Sequence, residues 1–237
     1  MREAIILAGG FGTRLRSAVS DRPKALAPIN GRPFLEYLLD HLIAAGVSRF
    51  VFSVGYRADQ IEAHFGTAYR ARPVSYAPEE RPLGTGGGIA NALPKTTNED
   101  VLVVNGDSLF LCDIEAQFAL HERTGALATL ALRPMKNFDR YGRVETDADG
   151  RITAFREKEA VEQGAINGGV YLLHRNAFSR AGLSGAFSLE RDFFSARVGD
   201  LPLYGRHDDA YFLDIGIPAD FARAQEDFPH LDIGSEG

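Results

Sequence analysis

The apolar run Ala4-Ile5-Ile6-Leu7, which ends abruptly in glycines, constrains the fold more than any other feature of the chain. A short all-apolar run closed by turn residues is typical of a strand buried on both faces of a sheet. The segment Leu7-Ala8-Gly9-Gly10-Phe11-Gly12-Thr13-Arg14 comes next. Because glycine has no Cβ, such a backbone can approach a ligand closely, and its successive N–H groups attract anions. We predict a buried strand that opens into an anion-binding loop.

Similar runs alternate with helical stripes through the first half of the chain. Because the strands are continuously apolar, the pattern predicts an α/β fold of Rossmann-like type. Its central sheet would be mixed but mostly parallel, with helices on both faces. Ligands of such sheets bind at the carboxyl ends of the strands, where Gly9–Arg14 and Asp107 are both expected. The predicted strands are Ala4–Leu7, Phe50–Val54, Val74–Tyr76 and Val101–Val104, and the predicted helices cover 34–43 and 58–65.

From about residue 127 the pattern changes to hairpins. Val144–Thr146 and Ile152–Phe155 flank the turn sequence Asp-Ala-Asp-Gly and predict an antiparallel pair. A helix is predicted after Ser188, which is a suitable N-cap, and the last helix is predicted to begin at Pro218.

Composition excludes several classes of partner. The net charge of −6 gives no basis for nucleic-acid binding, and no apolar run approaches the ~18 residues of a membrane span. The single cysteine, Cys112, allows no intrachain disulfide. The chain is therefore expected in the reducing cytoplasm.

The glycine loop matches neither of two common phosphate-binding motifs. The dinucleotide fingerprint fails because Leu15 stands where the third glycine belongs, and the chain has no Gly-Lys pair for a Walker loop. This loop differs from both motifs because two cationic residues accompany its glycines. Arg14 is followed ten residues later by Lys24, which lies within Pro23-Lys24-Ala25-Leu26-Ala27-Pro28. Glycines together with Arg and Lys suit a polyphosphate.

These motifs resemble the opening of the sugar-1-phosphate nucleotidyltransferases, which share a nucleotide-diphospho-sugar transferase (GT-A-like) fold. Further similar blocks are Asn105-Gly106-Asp107, Phe155-Arg156-Glu157-Lys158 and Asp214-Ile215-Gly216, so the resemblance spans about residues 3–221. Within the family, Asn137–Gly142 and Ile166–Tyr171 are most similar to heptose 1-phosphate guanylyltransferases. The resemblance implies that heptose 1-phosphate and GTP give GDP-D-glycero-D-manno-heptose and pyrophosphate.

The resemblance implies roles for individual residues on the nucleotide side. Arg14 would bind the leaving phosphates, Lys24 would lie at the α-phosphate, and Asp107 and Asp214 would hold Mg²⁺. Arg14, Lys24 and Asp107 are the predicted catalytic residues. The predicted nucleotide-binding set is Leu7, Ala8, Gly9, Gly10, Gly12, Thr13, Arg14, Lys24, Glu79, Gly84, Thr85 and Asp107.

Glu79 is the predicted base reader. Guanine offers two adjacent donors that one carboxylate can accept together, whereas uracil offers one donor flanked by acceptors. The adjacent Glu80 is the alternative. The glycine run that starts at Gly84 is predicted to precede a helix whose N-terminus faces phosphate or ribose.

The sugar side is likewise implied by the resemblance. The chain is expected to form one domain over 1–229, with a nucleotide half over about 1–125, a sugar-phosphate half over about 126–229 and a frayed tail over 230–237. Homo-oligomers are possible, since many relatives assemble. The predicted sugar-phosphate set is Asn105, Gly142, Glu157, Lys158, Asn167 and Gly168.

Two alternatives remain open on the sequence. The same chemistry could use another pair, such as uridylyl or guanylyl transfer to a hexose or N-acetylmuramate 1-phosphate. A protein of a different class, a catalytically silent nucleotide sensor, could also keep this fold. Retention of Arg14, Lys24, Asp107 and Asp214 favours an enzyme.

Overall fold

The computed structural model describes residues 1–10, 15, 19 and 22–233, except for the side chain of Lys158. The predicted sites at Gly12, Thr13 and Arg14 lie outside these residues. The strands are β1 (Arg2–Leu7), β2 (Pro28–Ile29), β3 (Arg32–Pro33), β4 (Val47–Val54), β5 (Ala68–Tyr69), β6 (Arg72–Pro78), β7 (Asp100–Asn105), β8 (Ser108–Phe110), β9 (Ala128–Phe138), β10 (Gly142–Thr146), β11 (Ile152–Lys158), β12 (Val161–His174), β13 (Leu203–His207) and β14 (Phe212–Asp214).

Helices connect the strands and cover the sheet. They are α1 (Phe34–Ala44), α2 (Ala58–Phe65), α3 (Gly84–Ala92), α4 (Ile114–Thr124), α5 (Ala177–Arg180) and α6 (Pro218–Asp227), with a π-helix at Leu189–Ser195 and a 3₁₀ turn at Lys24–Leu26. Among the described residues, no helix is long and apolar enough to cross a membrane.

The centre of the main sheet is parallel, in the order β7-β1-β4-β6. Beside β7 the sheet becomes antiparallel through β12, β10 and β11, and β9 pairs with β12. The fold class predicted from sequence is therefore confirmed, as is the hairpin formed by β10 and β11.

Both faces of the parallel strands are buried, which explains their continuous apolar sequence. In β1, Ala4 and Ile6 pack on one face against α1 and α2, whereas Ile5 packs on the other face against α3. The parallel ladder brings the carboxyl ends of β1, β4, β6 and β7 to one edge, and this edge carries the candidate site.

Two sequence predictions about the chain's course need correction. The helix α3 begins at Gly84, so the glycine run forms its first turns rather than a loop before it. At the C-terminus, Ile233 is buried in the core, so the packed chain extends past the predicted limit at residue 229. Residues 234–237 lie outside the described part. The division into two halves stays a prediction.

Candidate functional site

The ends of β1 and β7 lie side by side and open into one cavity. Leu7 pairs with Asn105, and the Gly106 N–H donates to the Leu7 carbonyl at 2.9 Å. The two loops that follow therefore face the same space, as the sequence predicted. That cavity has a volume of about 590 Å³, and its lining includes the predicted residues Leu7, Ala8, Gly9, Gly10, Lys24, Glu79, Gly84, Thr85, Asn105 and Asp107.

Lys24 joins the two predicted metal ligands. Its Nζ donates to Asp107 Oδ2 at 2.8 Å and to Asp214 Oδ1 at 3.2 Å. The two carboxylates meet because Asp214, the last residue of β14, pairs with Ser108, which directly follows Asp107. Lys24 reaches them from a 3₁₀ turn that is held in the core by Ala25 and Leu26. These three residues, distant in sequence, form one cluster at the cavity.

The cluster is short of positive charge. Burial and the neighbouring charge of Asp107 raise the pKa of Asp214, and Lys24 and the Gly216 N–H only partly oppose this. The Lys24 side chain is 12% exposed and that of Asp214 is 25% exposed, whereas Asp107 opens further to the cavity at 44%. Two carboxylates that share one ammonium leave a net negative site, which a cation would stabilise.

The donor set fits Mg²⁺ better than a metal held entirely by protein. Among the described residues, no three His, Cys, Asp or Glu side chains gather where they could hold a metal ion. Asp107 and Asp214, however, both contact Lys24 Nζ, so their oxygens lie no farther apart than the sum of those two distances. Mg²⁺ commonly uses one or two carboxylates and takes its remaining ligands from phosphate and water.

Glu79 is built into the cavity, whereas Glu80 is exposed at its rim. Glu79 follows β6, and its Oε2 accepts from the Leu83 N–H at 3.0 Å while Oε1 accepts from Ser53 Oγ at 3.2 Å. Each carboxylate oxygen has a second lone pair. The Glu79 carboxylate is thus held in one orientation with capacity left for a ligand.

The glycines of α3 are required by packing as well as by access to the cavity. A Cβ on Gly86 would stand 2.2 Å from the Phe187 ring, and one on Gly88 would stand 2.8 Å from Glu79 Oε1. Thr85 Oγ1 accepts from the Leu189 N–H at 2.9 Å. The segment that begins the π-helix therefore lies directly against Thr85 at the cavity wall.

The predicted sugar residues of β10 and β11 lie away from this cavity. Gly142 pairs with Lys158 and Arg143 pairs with Arg156, which leaves Glu157 as the extra residue of a β-bulge. Bulges of this kind redirect a side chain beside many active sites. Glu157 is exposed, and the Lys158 side chain lies outside the described part of the chain.

Asn167 and Gly168 belong to a second bulge, which connects to the cavity through Asn105. The pairing register between β12 and β9 shifts between Asn167 and Tyr171, and Gly169 adopts a φ of +76° within that interval. Asn167 Nδ2 donates to the Tyr171 hydroxyl at 2.9 Å, and a Cβ on Gly169 would stand 2.8 Å from Asn105 Nδ2. Asn105 itself lines the cavity. The structure thus joins part of the predicted sugar set to the cavity that contains the predicted nucleotide-binding residues.

Several residues at the site were not predicted. Tyr56 and Arg81 line the cavity, and Tyr171 and Glu190 join the network around Asn167. The adjacent glycines at 168 and 169 inside a strand pattern were a signal for a bulge. No comparable sequence signal indicated Glu190.

Comparison with known proteins identifies the class of protein that carries this site. The profile of the nucleotidyl transferase family matches residues 3–230, and the chain belongs to that family.

Its relatives include guanylyltransferases for a heptose phosphate. The D-glycero-alpha-D-manno-heptose 1-phosphate guanylyltransferase of Aneurinibacillus thermoaerophilus is 47% identical over 96% of this chain and 99% of its own length. The Campylobacter jejuni enzyme of the same name is 39% identical over 92% of this chain and 96% of its own length. The crystal structure of HddC from Yersinia pseudotuberculosis in complex with GMP-PN matches with a TM-score of 0.83 at 33% identity. That match covers 96% of this chain and all of HddC.

Proposed function

We propose that the chain transfers GMP from GTP to a D-glycero-α-D-manno-heptose 1-phosphate, giving GDP-heptose and pyrophosphate. The observation that carries this proposal is the cluster of Lys24, Asp107 and Asp214, of which Lys24 and Asp107 line the same cavity as Glu79. The cluster suits phosphates and a metal ion, and Glu79 suits guanine. The two heptose 1-phosphate guanylyltransferases support the choice of sugar, because they match this chain over nearly their full length.

Glu79 is proposed to accept hydrogen bonds from N1–H and N2–H₂ of guanine. Ser53 and the Leu83 N–H already fix the carboxylate, so little side-chain entropy remains to be lost on binding. Gly9 supports this arrangement, because a Cβ there would stand 3.1 Å from Glu79 Oε1. Gly84 and Thr85 would border the base and ribose from the first turn of α3.

The reaction requires no general base, because the attacking sugar phosphate is already anionic at neutral pH. The protein's task is to bring two anions together and to balance the charge at the α-phosphorus. Lys24 is proposed to leave its carboxylate partners for the α-phosphate, and Asp107 and Asp214 to hold Mg²⁺. The bound Mg²⁺ would supply charge neutralisation between the phosphates.

The phosphate loop and the sugar side complete the proposal. The loop from Leu7 through Ala8, Gly9, Gly10, Gly12 and Thr13 to Arg14 would surround the leaving β- and γ-phosphates. The sugar 1-phosphate would be bound by Asn105, Gly142, Glu157, Lys158 and Gly168, with Asn167 beside Gly168 in the same bulge of β12. We also propose that the enzyme works in the cytoplasm, supplies a surface polysaccharide such as a capsule, and has the capacity to form homo-oligomers.

Product analysis tests the proposal directly. Purified protein incubated with GTP, Mg²⁺ and the heptose 1-phosphate should form GDP-heptose and pyrophosphate in equal amounts, measured by chromatography with mass detection. Asp107→Asn should abolish the product, while GTP binding without Mg²⁺ survives. Formation of a GDP-sugar from another sugar 1-phosphate would change the substrate assignment. No product with any pair would favour the nucleotide sensor.

A further inference from the structure

Asn167 has no side-chain donor left for a substrate. The Gly169 N–H donates to its Oδ1 at 3.0 Å, which fixes the orientation of the amide. Nδ2 then donates to the Tyr171 hydroxyl at 2.9 Å and to Glu190 Oε1 at 3.1 Å. Because an amide nitrogen carries two protons, both are used. Asn167 is therefore a residue that orients its neighbours.

The neighbour that it orients toward solvent is Glu190. The residue is exposed, and within the described part of the chain Oε1 is its one side-chain atom that makes a hydrogen bond. A carboxylate has about four lone-pair sites and accepts only, so Oε2 and the rest of Oε1 remain available to hydroxyl donors. Sugar hydroxyl groups are such donors.

Glu190 is connected to the bulge of β12 through the Asn167 amide. Asn167 Nδ2 donates to the Tyr171 hydroxyl at 2.9 Å and to Glu190 Oε1 at 3.1 Å, so the tyrosine oxygen and the Glu190 carboxylate share one hydrogen-bond donor. Asn105, which lines the cavity, packs against the same bulge, because a Cβ on Gly169 would stand 2.8 Å from Asn105 Nδ2. These contacts lead from Asn105, the last residue of β7, through the bulge of β12 to Glu190.

The backbone that carries Glu190 is fixed on two sides. Beside Glu190, the Leu189 N–H donates to Thr85 Oγ1 at 2.9 Å, and the Phe187 carbonyl accepts from the Gly86 N–H at 3.0 Å. Later in the π-helix, the Phe194 ring stacks on Phe155 of β11, with 5.7 Å between ring centroids and 4° between planes. The π-helix therefore connects the nucleotide side to the strand that carries Glu157.

We infer that Glu190 binds the sugar, with its carboxylate accepting a hydrogen bond from a sugar hydroxyl group while Asn167 and Tyr171 hold it in place. This inference rests on the proposed function, in that it requires a sugar 1-phosphate as substrate. It adds a sugar-binding residue outside the predicted set. It also gives Asn167 the role of a positioning residue.

Steady-state kinetics of Glu190→Gln tests the inference. Glutamine keeps an oxygen that accepts from Asn167 but exchanges the remaining carboxylate oxygen for a donor. The KM for the sugar 1-phosphate should rise by about tenfold or more, while the KM for GTP and the melting temperature stay unchanged. Glu190→Ala should raise the same KM at least as much. The matched control is Glu162→Gln, which changes an exposed glutamate of β12, the strand that carries Asn167.

The outcomes separate this inference from the proposed function. All variants are assayed with whichever sugar 1-phosphate the wild-type protein uses best, so a substrate other than heptose still tests Glu190. A sugar KM for Glu190→Gln within about twofold of that of Glu162→Gln would overturn the inference. The inference would also be overturned if Glu190→Ala raised the KM for the sugar 1-phosphate while Glu190→Gln kept the wild-type KM. That result would indicate that Glu190 only positions its neighbours. Wild-type protein that uses no sugar 1-phosphate would overturn both proposals.

Discussion

Replacing Lys24 with methionine should destabilise the protein in the absence of metal. The side chain keeps its length but loses the ammonium that joins Asp107 and Asp214. A hydrogen bond to a charged group contributes about 1.5–3 kcal/mol when it is shielded from water. The contact with Asp214, 25% exposed, approaches the low end of that range. The contact with Asp107, 44% exposed, falls to the surface value of at most about 1 kcal/mol.

Together these contributions predict a loss of about 2 kcal/mol in the free energy of unfolding, or about 4–8 °C in melting temperature for a chain of this size. Thermal unfolding at neutral pH and low salt measures it, with Lys95→Met as a control because that exposed lysine has no described ion pair. Mg²⁺ should raise the melting temperature of Lys24→Met more than that of wild type, because the two carboxylates have lost a competing cation. Equal melting temperatures of the two variants, or equal Mg²⁺ shifts in Lys24→Met and wild type, would refute this reasoning.

Three further predictions follow from other contacts. Glu79→Gln should lower kcat/KM for GTP by about 10–100-fold but leave any activity with UTP unchanged, because it removes a bidentate acceptor of guanine. The control Glu80→Gln, at the exposed neighbour, should leave kcat/KM for GTP unchanged. Equal losses of kcat/KM in the two variants would contradict the assignment of Glu79. Gly86→Ala should destabilise the fold by about 1–3 kcal/mol in denaturant titration, because its Cβ would overlap the Phe187 ring; an unchanged midpoint would contradict the packing. Burial raises the pKa of Glu3, but hydrogen bonds from the loop before β7 outweigh it and hold the pKa below its ordinary value of 4.5. A carboxyl group whose pKa is lowered by folding stabilises the fold at pH values above its ordinary pKa of 4.5. Glu3→Gln should therefore lower the free energy of unfolding by about 1–2 kcal/mol at neutral pH. The difference from wild type should shrink as the pH falls below 4.5. A difference that is constant with pH would contradict it.

The parallel half of the fold could be read from sequence because its strands are buried on both faces. The predicted strand Ala4–Leu7 and the helix over 34–43 match β1 and α1 within a few residues. Polar residues placed directly after such strands must lie at one edge, so the meeting of the glycine loop with Asp107 was predictable from topology alone.

The second half was less predictable because its features arise from register rather than composition. β9 and β13 were not predicted, and β12 runs from Val161 to His174, much longer than its apolar stretch over 170–173. Two bulges then set the positions of Glu157 and Asn167. A bulge depends on how two strands pair, which spacing along one strand does not determine.

The glycine run of α3 shows the same limit. The sequence predicted that this run precedes a helix, but contact with the backbone around Phe187 and with Glu79 favours glycine inside the helix itself. Tertiary packing here overrides local propensity. The ion pairs of Lys24 are likewise set by the fold, since 83 and 190 residues separate the lysine from its two partners.

The central claim is that this cavity selects guanine and that the adjoining site selects a heptose phosphate. Pyrophosphate release measured with Mg²⁺ for GTP, UTP, ATP, CTP and dTTP, each against a panel of sugar 1-phosphates, tests it most directly. We predict that kcat/KM is highest for GTP with D-glycero-α-D-manno-heptose 1-phosphate, and that mannose 1-phosphate and N-acetylmuramate 1-phosphate are poorer partners. A higher kcat/KM with UTP, or with a hexose phosphate, would contradict the claim.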